Sequence, residues 1–338
     1  RSSVTSTSIG LRKGRHSSVH TVVSTTLRNS PQSWKTLRLS DLPSCNIKGE
    51  IYDTSGTFIC KLVAQKPLGG GTFGQVDAFN RLSPEGDTVV AIKRPKFHAM
   101  NLLTEALFQW KVYNDMEEFG LSFCIPQIHD IFLFQQSKDV WFSMEAFEPV
   151  FLSTWCARPD NHRVFHLVLL QIAFILEVLE NELRTDHRDL KINNIIVVDE
   201  PVQINIEWNA EPRTIHFPFR IVFVDFGFAC CSDVIDMKQE DAIPGLDPCP
   251  KEGRNMFQVL VSIWNDANLR KDLESSWGEW IRRRIMNIVP RVSNVDLLTQ
   301  RFRTLDWMYT LTDTKEFRAP LCAPRKIIRD CMHILDRE

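Results

Sequence analysis

The sequence predicts an α+β fold, with length enough for one large bilobal domain or two small ones. Three observations point there. Extended, alternating segments flank the glycine-rich "PLGGGTFGQV", and the β-branched "TVVAIKRP" follows as a further strand. Leu102, Leu103, Ala106, Leu107 and Trp110 recur at helical spacing, and residues 162–183 read as a second helix. The chain has 338 residues, 43% of them hydrophobic, which suffices for a sizeable core.

Residues 1–44 stand apart. They hold seven Lys or Arg against Asp41 alone, and 17 Ser or Thr, while the whole chain carries a net charge of only -2. So few large apolar side chains cannot offset the entropy of ordering, and the segment is expected to be a disordered basic tail. Such a tail suits an acidic surface, although a solvated arm is the plainer reading, and nucleic acid is not the expected partner. Nine cysteines with no CxxC pair fit reduced thiols better than a disulfide framework. Cys156, His162 and His166 do not meet zinc-ligand spacing. The longest apolar run, "LVLLQIAFILEVL", is too short and too polar to span a bilayer, so no membrane partner is expected.

Gly69, Gly71 and Gly74 form a GxGxxG. In a dinucleotide-binding fold the third glycine opens a helix and an acid follows about 20 residues later. Here Gln75, Val76, Asp77 and Ala78 run on as a strand, and Lys93 stands where that acid would be. The loop therefore reads as a lid between two antiparallel strands, its glycines letting backbone N–H groups approach a polyphosphate. Lys93, preceded by the small Ala91, would supply a point charge for the phosphates. Glu105, on the helix beginning near Leu102, would orient that lysine. The rival reading is a solvated carboxylate, with Glu117 and Glu118 as other candidates.

"HRDLKINNIIVV" fixes His187, Arg188, Asp189, Leu190, Lys191 and Asn194, and "VFVDFG" ends a strand on Asp225 before a glycine hinge. Together with GxGxxGxV (Gly69, Gly71, Gly74, Val76) and the lysine of VAIK (Lys93), these motifs follow the order of the eukaryotic-type protein kinase superfamily, which the chain resembles. The resemblance covers about residues 60–265. Its departures look like those of divergent kinases of large DNA viruses.

The resemblance implies a bilobal protein-kinase-like fold, with a small mainly β N-lobe at 45–147, a larger mainly α C-lobe at 148–338 and an extra hairpin near 199–220. It implies a serine/threonine protein kinase using ATP and Mg²⁺. Asp189 would take or orient the substrate hydroxyl, Lys191 would contact the γ-phosphate, and Asn194 and Asp225 would hold Mg²⁺. Met144 would be the gatekeeper, with backbone groups of Glu145 and Phe147 pairing with adenine. Leu68, Val76, Ala91 and Ile196 would sandwich the ring. The implied partner is a protein bearing Ser or Thr, and the implied location is cytoplasmic, in a host cell or virion if the chain is viral; the oligomeric state is left open.

The pattern is departed from after Gly227. No APE motif follows, Asn255 stands where the family places an aspartate, and Gln109 occupies a position expected to be apolar. Residues 228–253 hold one hydroxyl, Ser232, so Asp233, Asp236, Glu240 or Asp241 is expected to neutralise Arg188 in place of a loop phosphate. Two alternatives stay open: a pseudokinase or scaffold, and a small-molecule kinase of the aminoglycoside or choline type.

Overall fold

The computed structural model describes residues 9–11, 37–71, 74–96, 102–148, 150–156, 158, 161, 164–231, 251–266, 270, 275–288 and 321–337. Along the chain come β1 (Ile9–Leu11), β2 (Ser44–Cys45), β3 (Glu50–Tyr52), β4 (Phe58–Gly70), β5 (Gly74–Leu82) and β6 (Thr88–Pro95). Helix α1 (Leu103–Glu117), β7 (Ile128–Phe134) and β8 (Val140–Glu145) follow. The chain divides into two compact units. One comprises Arg15–Glu117 with Ile125–Pro149, and the other Arg1–Gly14, Glu118–Cys124 and Val150–Glu338.

In the first unit, seven strands close into a barrel in the order β2-β3-β4-β5-β6-β8-β7. Two residues make the closure: Ser44 and Cys45 pair antiparallel with Tyr52 and Ile51, and parallel with Leu133 and Phe134. An open sheet would leave the β3 and β7 edges with unpaired backbone groups, and this short strand covers both. Inside lie Cys45, Ile51, Cys60, Leu62, Val90, Ile92 and Phe132, with Phe134 stacked on Trp141 at 4.5 Å between ring centroids. The β4–β5 ladder shifts register on each side of Pro67, which has no N–H to give it.

The second unit continues with α2 (Leu152–Cys156), α3 (Phe165–Glu177), β9 (Thr185–Asp186), β10 (Ile195–Val198), β11 (Val202–Trp208), β12 (Glu211–Phe217), β13 (Arg220–Phe223) and β14 (Cys230–Cys231). Among the described residues three helices follow: α4 (Arg254–Asn265), α5 (Ser275–Ile288) and α6 (Pro324–Leu335). Every residue of α3 except Leu167 is buried, and α6 packs along it. Of the polar side chains buried in α3, Gln171 donates to the Phe219 carbonyl and accepts from the Ile221 N–H, and Glu177 meets Arg325 at 2.5 Å.

β10 pairs antiparallel with β13, and β9 with β14. β11 and β12 form a hairpin over Asn209-Ala210, both left-handed at φ +53° and +66°. That is the turn a two-residue hairpin loop demands.

The expected bilobal fold, with a mainly α second half, is corrected. The first unit is a closed seven-stranded barrel, and the second interleaves strands β1 and β9–β14 with its helices. Backbone pairing is the reason: β2 removes the sheet's open edges, and 202–217 pair with each other as strands. Within residues 1–44, Ile9–Leu11 pair with Ile206–Trp208 along the outer edge of β11. Residues 1–8 and 12–36 lie outside the described residues.

Candidate functional site

The barrel unit places Lys93 on β6, between Val76 of β5 and Phe142 of β8. Its ammonium meets the Glu105 carboxylate at 2.5 Å, with both side chains 6% exposed. It is Glu105, in the first turn of α1, that faces the lysine, so the solvated-carboxylate reading falls away. Gly74 packs against the lysine stem. A Cβ at Gly74 would lie 2.8 Å from Lys93 Cε and 3.0 Å from the Arg94 carbonyl oxygen, so a side chain there would displace the lysine.

The other candidates of this unit lie around that pair in the sheet. Ala91 is buried and pairs with Ala78 and Met144. Gly69 pairs with Val76, and Gly71 donates to the Gly74 carbonyl at 2.9 Å; residues 72–73, the loop tip, lie outside the described residues. A Cβ at Gly69 would touch nothing within 4 Å. Leu68, Val76, Glu145 and Phe147 are half-buried, and the Glu145 N–H is committed to the Gln127 carbonyl at 2.8 Å. Gln109, expected to be apolar, is buried with its amide donating to the Pro126 carbonyl at 2.8 Å and lying 3.6 Å from the Met144 sulfur. An amide fits here because it satisfies a carbonyl that an aliphatic side chain would strand.

The second unit holds the remaining candidates. Val178–Glu182 extend α3 as a π-helical turn, closed by the Leu183 N–H on the Val178 carbonyl, and the chain enters 187–194 from there. Lys191 lies 2.9 and 3.2 Å from the two Asp189 carboxylate oxygens. The Asn194 amide nitrogen donates to the same carboxylate at 3.0 Å and to the Asp189 carbonyl at 2.8 Å. With its nitrogen so held, Asn194 keeps its amide oxygen as an acceptor. Asp225 is left-handed at φ +68°, and the preceding Val224 N–H donates to the Asn194 carbonyl at 3.0 Å.

His187 Nε2 lies 3.1 Å from the Val224 carbonyl oxygen and therefore carries the proton, while its ring packs 4.8 Å from Phe226. Burial pushes its pKa down, so the imidazole is neutral. Ile196, on β10, pairs with Val222 and bridges to Phe151.

Beneath these residues lies a buried polar network that the sequence reading missed. Asp186 pairs with Arg254 at 3.0 Å, both fully buried. Asn255 accepts from the Arg188 N–H at 3.2 Å and donates to Glu180 at 3.0 Å. Gln258 accepts from the Leu190 N–H and donates to the Arg188 carbonyl. The signal was in "RNMFQVLVS": polar residues 255, 258 and 262 recur at the spacing of a helix face, inside a run that reads as apolar. The acids expected to neutralise Arg188 (Asp233, Asp236, Glu240 and Asp241) lie outside the described residues.

A groove of about 590 Å³ between α5 and α6 is lined by Glu279, Trp280, Arg283, Arg284, Asn287, Leu321 and Lys326. Its cations are already met by Glu279 and Asp330. Among the described residues, no group of three or more His, Cys, Asp or Glu is placed to hold a metal ion, and no helix is long and apolar enough to cross a membrane. No protein-family model matches the chain, and no curated protein sequence matches it either.

Proposed function

We propose that the chain is an ATP-dependent serine/threonine protein kinase. One observation carries the reading: the Asp189 carboxylate is 3% exposed and held by the Lys191 ammonium and the Asn194 amide within one turn of chain. A carboxylate fixed in this way can accept the proton of an attacking hydroxyl. The adjacent ammonium can stabilise charge that develops on transferring phosphoryl oxygens. Within the barrel unit, the Lys93 ammonium oriented by Glu105 and the glycine-bearing β4–β5 hairpin are groups of the kind that meet phosphates.

Mg²⁺ suits the residues present. It takes one or two protein oxygens and leaves the rest of its shell to water and phosphate, which Asn194 and Asp225 can satisfy without a larger acidic cluster. Bound there, it would supply charge neutralisation on the phosphates. A lysine two residues after the catalytic aspartate favours a protein hydroxyl over a small alcohol, and a Ser/Thr protein of the cytoplasm, of a host cell or virion if the chain is viral, is the proposed substrate.

The test offers γ-labelled ATP with Mg²⁺ to the protein together with a generic basic protein and a panel of small alcohols. Label on Ser or Thr of protein supports the reading. Label on a small alcohol, or ATP binding without transfer to anything, overturns it.

A further inference from the structure

The backbone of 188–192 is turned: Arg188 is left-handed at φ +64°, Ile192 opens a 3-10 turn, and the Lys191 N–H folds back on the Asp189 carbonyl at 2.9 Å, which leaves the other N–H groups of the segment to find partners elsewhere. Those of Arg188, Leu190 and Ile192 all point at α4. They are met in order by Asn255 Oδ1 at 3.2 Å, Gln258 Oε1 at 2.9 Å and Ser262 Oγ at 3.2 Å. The three acceptors sit at i, i+3 and i+7, one face of the helix. Over seven residues that face rises about 10 Å. One face of α4 thus supplies the acceptors for three backbone N–H groups of this segment.

With those three N–H groups turned to α4, the turn closed by the Lys191 N–H on the Asp189 carbonyl brings the side chains of Asp189 and Lys191 together at 2.9 Å. Gln258 is the central rung and the only one of the three recorded with two bonds to this segment. Its Nε2 donates to the Arg188 carbonyl at 2.5 Å while its Oε1 takes the Leu190 N–H, so it grips the backbone on both sides of Asp189. The two demands also fix the amide's orientation. Gln258 is fully buried, so neither bond competes with bulk water.

We propose that Gln258, supported by Asn255 and Ser262, is the positioning residue that sets the Asp189 carboxylate for proton acceptance. This rests on the phosphotransferase reading of Asp189. Removing the amide frees the backbone on both sides of the carboxylate without touching the groups that hold nucleotide, so chemistry should suffer while binding does not.

The experiment uses the full chain with Gln258→Met, which keeps the side chain's length and loses both bonds. Ser262→Ala is the milder companion should the first fail to fold. The expected result for Gln258→Met is a fall in kcat of roughly 10- to 100-fold with KM for ATP within about twofold, together with faster hydrogen exchange at the Leu190 amide. Ser262→Ala is expected to lower kcat by several-fold and to speed exchange at Ile192. A folded Gln258→Met with unchanged kcat overturns the proposal, as does a loss confined to the fraction of folded molecules. If the unsubstituted protein transfers no phosphate, the phosphotransferase reading fails by itself. The rungs are then judged by exchange alone, and unchanged protection of Leu190 in Gln258→Met overturns them too.

Discussion

Lys93 and Glu105 meet at 2.5 Å between a strand and a helix of the same unit, and neither side chain is more than 6% exposed. Two charges removed from water in this way stabilise each other, so removing one withdraws much of what offsets the other's burial. Lys93→Met is expected to destabilise the barrel unit by about 3–5 kcal/mol. Lys93→Met combined with Glu105→Leu should recover most of that loss, because the double change removes both charges of the pair. Urea denaturation of the three proteins measures this, and phosphate transfer should be lost in both variants whatever their stability.

The β11–β12 turn gives a prediction of the opposite sign. Ala210 sits at φ +66°, where its Cβ crowds the backbone and where glycine would not. Ala210→Gly is expected to stabilise the protein by about 1 kcal/mol, partly offset by the greater freedom of glycine in the unfolded chain. A higher urea midpoint with an unchanged slope would show it.

Stability should also fall with rising pH because of Glu180. Its carboxyl accepts from the Gly253 N–H and from Asn255, yet burial, with Asp186 and Glu252 as nearby like charges, pushes its pKa from 4.5 up to about 8. A group whose folded pKa lies above its unfolded value binds more protons when folded. Its contribution is therefore complete below about pH 4.5 and is lost progressively as pH rises through about 8. The total is of order a few kcal/mol, at about 1.4 kcal/mol per pKa unit. Urea midpoints at pH 5 and pH 8.5 should differ accordingly, and Glu180→Gln should flatten the difference.

What could be read in the sequence was what local pattern carries. Lys93 stood on a strand because of the β-branched residues around it, and Glu105 on a helix because of the apolar spacing about it. Their meeting follows from those two assignments. The 202–217 alternation likewise marked its own pairing. Barrel closure was not legible, because it depends on Ser44 and Cys45, two residues with no strand pattern of their own, finding β7 nearly ninety positions away.

The face of α4 was hidden for a different reason. Asn255, Gln258 and Ser262 interrupt an apolar helix at core-facing spacing, and in isolation they look like flaws in a hydrophobic stripe. Only the backbone of 188–192 lying against them shows that the buried side of this helix needs acceptors. Gln109 shows the same effect on a smaller scale, a polar residue at a core position explained by one carbonyl, that of Pro126.

The central claim is that Asp189 acts as the proton acceptor in phosphate transfer. The most direct measurement is the steady-state rate of γ-phosphate transfer from ATP and Mg²⁺ to a protein hydroxyl, by the unsubstituted chain and by Asp189→Asn. Asparagine keeps the shape and can still bond Lys191 and Asn194 through its oxygen, but it cannot take a proton. The account predicts a fall in kcat of about 10²- to 10⁴-fold with nucleotide affinity retained. Equal rates for the two proteins would contradict it.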